Sequence, residues 1–303
     1  MHYNIYVKSI YIMEVAMSIK IAVLSGKGGT GKTTISVNLS HVLSEKYSVQ
    51  LLDADVEEPD SHLFFDYREG SEEKTVFQMI PEVDNEKCIK CGACSRECQF
   101  GAINIFTSGA MVFKNLCHGC GVCSMVCPAE AIKEIPKELG KLQFRTSEEG
   151  IDFGEGILKV GEISGVKVIR SLKENMGDNE IIILDSPPGS SCPVVETLRG
   201  VDFALLVTED SAFGLHDMEI VSKVLDEMGI PFGIILNKYR EHSAEEKHSK
   251  EFKTKFEDKL FMKIPLDKKL AGIHSEGRLF VKEYEAYKDK FLAMFDQIKE
   301  LVG

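Results

Sequence analysis

The sequence predicts a doubly wound, mostly parallel α/β sheet interrupted by a smaller, cysteine-rich unit. Three observations carry that prediction. Apolar runs of strand type recur near 19–25, 49–53, 181–185, 203–208, 232–236 and 260–263, mostly alternating with helical patterns. A glycine-rich stretch separates the first run from an amphipathic helix. Eight of the nine cysteines fall between positions 88 and 127, in the gap between the second and third runs.

The bulk properties narrow the class. A chain of 303 residues with 44% hydrophobic content can bury a sizeable core, as about two domains or one large domain with an insert. Acidic residues outnumber basic ones 48 to 36, a formal net charge of −12, which argues against a general nucleic-acid binder. No apolar run approaches the roughly 18 residues of a membrane span. Clustered thiols with no sign of secretion point to the cytoplasm, where they stay reduced. Residues 1–16 lack the form of a signal peptide. With Met17 opening MSIKIAVLSGKGG, they read as an upstream extension without functional weight.

The first strand leads into SGKGGTGKTT, in which Gly26, Gly31, Lys32 and Thr33 satisfy G-x4-G-K-[ST]. Such a loop lets backbone N–H groups approach phosphates at a helix N-terminus, where the helix dipole also favours anions. Its lysine contacts the β- and γ-phosphates and its hydroxyl binds Mg²⁺. ATP and Mg²⁺ are the expected ligands, with Gly28, Gly29, Thr30 and Thr34 completing the cradle.

The second lysine, Lys27, makes this stretch resemble the deviant Walker A loop of the MinD/ParA/Mrp superfamily, which includes the nitrogenase iron protein. The resemblance covers nearly the whole chain from Met17. It implies an ATPase that dimerises around ATP, with Lys27 crossing to the partner's nucleotide. The plainer alternative is a solvated lysine. VQLLDADVEEPD is similar to the family's switch I, implying that Asp55 orients the attacking water and that Asp53 supports Mg²⁺ or only caps the strand. IIILDSPPGSSCP resembles the Walker B strand and switch II. There Asp185 would hold the Mg²⁺ shell, and the Gly189 backbone would sense the γ-phosphate. Asn237, ending FGIILNK, corresponds to the residue that reads the adenine edge, and Pro265 lies in the loop that packs beside the base.

Cys88, Cys91, Cys94 and Cys98 give C-x2-C-x2-C-x3-C, and Cys117, Cys120, Cys123 and Cys127 repeat it. Ala102–Ile103 recur as Ala131–Ile132, so each half reads as a cysteine loop followed by a short helical turn. In two-cluster ferredoxins the fourth cysteine of such a run ligates the other cluster. Residues 84–136 resemble that family. The resemblance implies one 4Fe–4S cluster on Cys88, Cys91, Cys94 and Cys127, and another on Cys98, Cys117, Cys120 and Cys123. Paired structural zinc sites are the alternative, although zinc has no use for the third close cysteine of each run. Gln99 departs from the pattern where Pro128 keeps it, and His118 reads as an exposed or outer neighbour.

The domain plan is therefore a discontinuous P-loop ATPase unit, 17–83 and 137–303, with an inserted ferredoxin-like unit at 84–136. Segment 140–163 should be a hairpin returning the chain to the sheet. Cys192 corresponds roughly to a cluster-bridging cysteine of the nitrogenase iron protein, but a buried or interface thiol without chemistry is favoured. His216 lies either near the nucleotide or partner, or at a helix cap. The segment 240–259, with its two histidines, reads as a solvated helix face. The tail places Phe291, Met294, Phe295, Ile298, Leu301 and Val302 on one face, for packing on the sheet rather than on a membrane.

Three functions follow as expectations. The first is an ATP-dependent homodimer coupling hydrolysis to electron transfer toward a redox partner. The second is an assembly or carrier ATPase delivering clusters to an accepting protein. The third is a positioning ATPase of the MinD or ParA kind.

Overall fold

The computed structural model describes residues 18–240 and 247–303. The 1–16 extension and His242 lie outside the described residues. In chain order the first half comprises β1 (Ile19–Leu24), α1 (Lys32–Ser44), β2 (Val49–Asp53), β3 (Glu72–Val83), α2 (Ala93–Glu97), β4 (Ile103–Phe106), β5 (Gly109–Val112), α3 (Val122–Met125), β6 (Ile132–Thr146) and β7 (Asp152–Leu158). The second half comprises α4 (Val166–Lys173), β8 (Ile181–Asp185), α5 (Cys192–Leu198), β9 (Phe203–Glu209), α6 (Ala212–Met228), β10 (Phe232–Tyr239), α7 (Lys247–Phe256), β11 (Leu260–Pro265), α8 (Lys268–Ser275) and α9 (Glu285–Val302).

One nine-stranded sheet runs β11-β10-β9-β1-β8-β2-β7-β6-β3. From β11 to β7 every pairing is parallel, whereas β6 joins β7 and β3 joins β6 in antiparallel fashion. The central parallel strands β1, β2, β8, β9 and β10 are buried on both faces, which explains their continuous apolar runs. Ile21, Val23, Ile181 and Ile183 face α1 and α9, while Ala22, Leu24, Ile182 and Leu184 face α4, α5 and α6. The helix expected to be amphipathic, α1, is buried on most of its circumference.

The hairpin expected at 140–163 is β6–β7. β6 begins earlier, at Ile132, and pairs along its length with β3, which had no sequence signal of its own. Pro81 and Pro136 sit in this ribbon, and its exposed positions mix charged residues with Phe77 and Met79, so its alternation is diluted. The cysteine-rich segment hangs between Val83 and Ile132 at the ribbon's far end. Its small core joins Cys94, Ile103 and Ile132 to Val83, Ile105 and Val112.

Two expectations are corrected. The helical turns, α2 and α3, lie within the cysteine runs rather than after them, and Ile103 and Ile132 open strands. In each run a left-handed glycine, Gly92 or Gly121, starts the turn and throws the third cysteine inward. At the other end of the chain, Phe291, Met294, Phe295 and Ile298 are buried as expected, but Leu301 is 58% exposed. Phe295→Ala should therefore cost about 3–5 kcal/mol, and Leu301→Ala within about 0.5 kcal/mol, both read from urea unfolding midpoints.

Candidate functional site

The glycine-rich loop turns between the C-terminal end of β1 and the first turn of α1. β1 sits between β8 and β9, where the chain's path across the sheet reverses, so the strand ends diverge into a crevice. Gly31 caps α1 with φ 100°, a conformation that side chains resist, and an added Cβ would run into the Asn237 amide. A cavity of about 640 Å³ opens there, lined by Gly28, Gly29, Lys32, Thr33, Thr34, Asp55, Asn237 and Pro265. Gly26 and Thr30 belong to the same loop behind it.

The loop after β2 is folded over this crevice by one carboxylate. Asp53 Oδ1 accepts from Asp55 N at 3.0 Å, and Oδ2 accepts from Asp60 N at 3.1 Å and Ser61 N at 3.0 Å. Ser61 Oγ donates to Asp185 Oδ2 at 3.1 Å. Carboxylate oxygens of Asp53, Asp60 and Asp185 lie within 4.8 Å of one another. Burial, with Asp185 beside it, pushes the Asp53 carboxyl far up. Burial likewise brings Asp185 to about 6, against the pull of Lys32. Asp185 Oδ1 is buried with no hydrogen-bond partner. An unpaired oxygen in so acidic a site suits Mg²⁺, which binds through one or two carboxylates and keeps several waters. Asp53, with both oxygens engaged, suits a supporting place behind that shell. Asp55, half-buried at the cavity, is raised to about 6 chiefly by burial, with Lys32 opposing.

Other expected residues stand differently from their anticipated roles. Lys27 forms an ion pair with Glu209 of its own chain at 2.7 Å. Glu209 also binds Lys238 at 2.7 Å, and Lys238 Nζ donates to the Gly29 carbonyl at 2.6 Å. Gly189 N donates to Ser25 O at 2.9 Å, so its N–H is taken up by the phosphate loop itself. Asn237 Nδ2 donates to Thr30 O at 2.7 Å, and its Oδ1 accepts from Lys238 N. Each bond uses half of that atom's capacity, so the second Nδ2–H and the second Oδ1 lone pair remain for a base edge. His216 is exposed on α6, whose cap is Ser211, accepting from Gly214 N. Cys192 is exposed at the start of α5, not buried. Sequence reasoning missed Glu209, Asp60 and Ser61. It also missed His274, which faces Thr34 Oγ1 at 3.1 Å and stacks on Phe64. Glu209 and His274 act through partners remote in sequence, and Asp60 and Ser61 through the loop that Asp53 folds, which no local pattern marks.

The cysteines close two separate cavities. Cys88, Cys91, Cys94 and Cys127 line one, and Cys98, Cys117, Cys120 and Cys123 line the other. Each cavity thus takes three thiols from one run and the fourth from the other. Ala102 N, Ala131 N and Gly119 N donate to the sulfurs of Cys98, Cys127 and Cys117 at 3.3 Å. Burial pushes the Cys123 thiol up to about 11 and raises Cys94, with neighbouring thiols adding to both. Four crowded thiols ionise together only if a bound cation replaces their protons, and the donor set fits a cubane cluster at each cavity. His118 stacks on Phe100 at 3.8 Å beside the second cavity and is exposed.

A family model described as the CobQ/CobB/MinD/ParA nucleotide binding domain matches residues 21–280. The chain belongs to that family. An uncharacterized protein of Methanocaldococcus jannaschii is 30% identical over 285 residues, spanning 93% of this chain and 97% of its own. An iron-sulfur cluster carrier protein of Pyrococcus furiosus is 26% identical over 229 residues. That match spans 70% of this chain and 59% of the carrier, so the chain accounts for little more than half of that relative. Among solved structures, the septum site-determining protein MinD of Pyrococcus horikoshii, complexed with Mg-ADP, aligns over 95% of this chain and 98% of its own. Its TM-score is 0.56 at 20% identity, which establishes the shared α/β fold. No helix among the described residues is long and apolar enough to cross a membrane.

The acidic pair gives the nucleotide site a testable cost. Because the Asp185 pKa is raised on folding, the free protein loses stability as pH rises toward about 6. Asp185→Asn should therefore raise the stability of the nucleotide-free protein at pH 7 by about 1–3 kcal/mol. That gain should shrink below pH 5, and stabilisation by ADP–Mg²⁺ should disappear, all read by thermal unfolding.

Proposed function

We propose that this protein is an ATPase that dimerises around ATP and couples its nucleotide state to electron transfer through two 4Fe–4S clusters. The observation that carries this reading is the pair of four-cysteine cavities mounted on a ribbon whose base packs beside the loop following Asp53. In this reading the discontinuous unit of 17–83 and 137–303 binds ATP and the 84–136 unit holds the clusters. The relation to the nitrogenase iron protein extends to this logic of gating.

ATP enters the crevice with its phosphates on the backbone of Gly28 to Thr34 and the Lys32 ammonium. Thr33 and Asp185 hold Mg²⁺, with Asp53 behind them. Asp55 orients a water toward the γ-phosphorus, and the γ-phosphoryl leaves ADP as inorganic phosphate. Lys27 must part from Glu209 to reach the nucleotide of the second subunit, so dimerisation exchanges one ion pair for another. Asn237 and Pro265 bound the base. The cysteine sites supply one-electron chemistry when loaded, and the chain's part is to hold and orient them.

A second reading is favoured by the carrier relatives: an ATPase that delivers clusters, with the exposed Cys192 as a labile contact. The two readings separate on anaerobically purified protein. Electron transfer expects about eight irons per chain that stay bound through ATP turnover and report a nucleotide-dependent reduction potential. Delivery expects iron to pass to an apo-acceptor, with the passage lost in Cys192→Ser. Unchanged potentials in ADP and ATP–Mg²⁺ would sink the coupling. Lys27→Ala should retain ATP binding yet sediment as a monomer in ATP, with turnover down at least about tenfold, about 1.4 kcal/mol in barrier.

A further inference from the structure

The two cysteine loops are copies, yet the second alone is seated on a helix of the nucleotide-binding unit. Lys90 and Gly119 hold equivalent left-handed positions in the two loops. Lys90 turns outward, and its Nζ donates to Thr107 O at 2.7 Å. Gly119 leaves no space for a side chain. An added Cβ would lie 2.7 Å from the Met79 carbonyl oxygen and 2.8 Å from both Gln78 Cγ and Lys167 Nζ. Gln78 Nε2 meanwhile donates to Cys117 O at 2.6 Å. Lys167 is half-buried on the first turn of α4, and its charge bears on Cys117, Cys120 and Glu134.

The helix that carries Lys167 is gripped from the nucleotide side. Val56, the residue after Asp55, packs against Gly165 and so closely that a Cβ there would overlap it. Val56 O accepts from Leu158 N at 2.8 Å, in the strand that leads into α4. On the opposite side Arg170 forms a fork on Glu196 of α5 at 2.9 and 3.1 Å. Lys173 Nζ donates to Glu196 O at 2.7 Å and Thr197 O at 2.8 Å. α5 starts where the Asp185 loop ends. Both loops expected to respond to the γ-phosphate therefore bear on α4.

We infer that Lys167 is the residue through which the nucleotide site acts on the second iron–sulfur site. The inference rests on the two-cluster reading proposed above. A cation near the ligands favours the more negative, reduced state, and its influence varies inversely with distance where water is partly excluded. Movement of α4 thus becomes a change in reduction potential at Cys98, Cys117, Cys120 and Cys123. Glu134 also borders this site, 3.0 Å from a Cβ placed on Gly121, so Lys167 offsets a fixed negative charge. The first site has its own cation, Arg96, donating to Cys91 O at 3.0 Å. Arg96 is exposed, where salt screens it, and it lies on α2 rather than on the nucleotide-binding unit. No α4 residue lines either cavity, and Lys167 reaches the second from behind Gly119, between Cys117 and Cys120.

The test uses the full chain, reconstituted anaerobically, as wild type, Lys167→Gln and Lys167→Arg. Each is titrated with dithionite under EPR without nucleotide, with ADP and with ATP–Mg²⁺, and Cys120→Ser identifies the second site's signal. Lys167→Gln should lower the reduction constant of that site about tenfold, about 59 mV for one electron, and leave the first in place. Its response to ATP should vanish, and Lys167→Arg should keep both properties. Equal shifts at both sites, or an ATP response that survives Lys167→Gln, would overturn the inference. So would iron loss from both variants, which marks a structural lysine. A wild type without about eight irons would instead overturn the cluster reading itself.

Discussion

The Asp53 carboxylate organises the nucleotide site. It is fully buried, its burial and its acidic neighbour both oppose ionisation, and three backbone N–H groups converge on it. Those bonds close residues 55–61 into a loop over the crevice and bring Ser61 onto Asp185. A carboxylate accepting several N–H bonds is a rigid anchor, above all through the buried Ser61 N–H, which would be left unpaired if released. What stays adjustable is the unsatisfied Asp185 Oδ1, the half-buried Asp55 and the Gly189–Ser25 bond. The site is thus stiff at its base and incomplete at its mouth, the form expected where a ligand finishes the structure.

The same loop explains why the insert sits where it does. β7, which follows the returning strand β6, pairs in parallel with β2, bringing Glu155 beside Asp53 in register. Glu155 is buried and held by Arg145 of β6, while His62 of the loop lies 3.0 Å from its other oxygen. A buried carboxylate in that position is tolerable because Arg145 pairs with it, while its second oxygen makes no hydrogen bond. The cysteine unit is therefore no appendage on a flexible tether. Its supporting ribbon is an extension of the sheet, locked to the loop that closes over nucleotide.

Much of this was legible because the signals are local. The parallel strands announce themselves as unbroken apolar runs since both of their faces are covered. The phosphate loop and the cysteine runs are fixed spacings with a chemical cause, and in the fold Cys127 lines a cavity with Cys88, Cys91 and Cys94 while Cys98 lines one with Cys117, Cys120 and Cys123. β3 was not legible, since it is a one-sided strand with charged residues at its start, Pro81 near its end and Phe77 and Met79 exposed on its outer face, which blurs the alternation. Nor were Glu209 and His274, whose partners Lys27 and Thr34 are remote in sequence. The helical turns were misplaced because Ala102–Ile103 and Ala131–Ile132 look like helix starts, while the left-handed Gly92 and Gly121 determine where the turns begin.

Duplication would make the two cysteine sites equivalent, and the rest of the chain removes that equivalence. Lys90 can adopt its left-handed conformation only because its side chain is free to lie outward; Gly119 adopts the same conformation with the ribbon and α4 pressed against it. One glycine thus permits a contact that its copy forbids. The consequence is directional: one site meets the nucleotide-binding unit through Gln78 and Lys167 and the other does not, although each exposes one of its cysteines, Cys120 and Cys91.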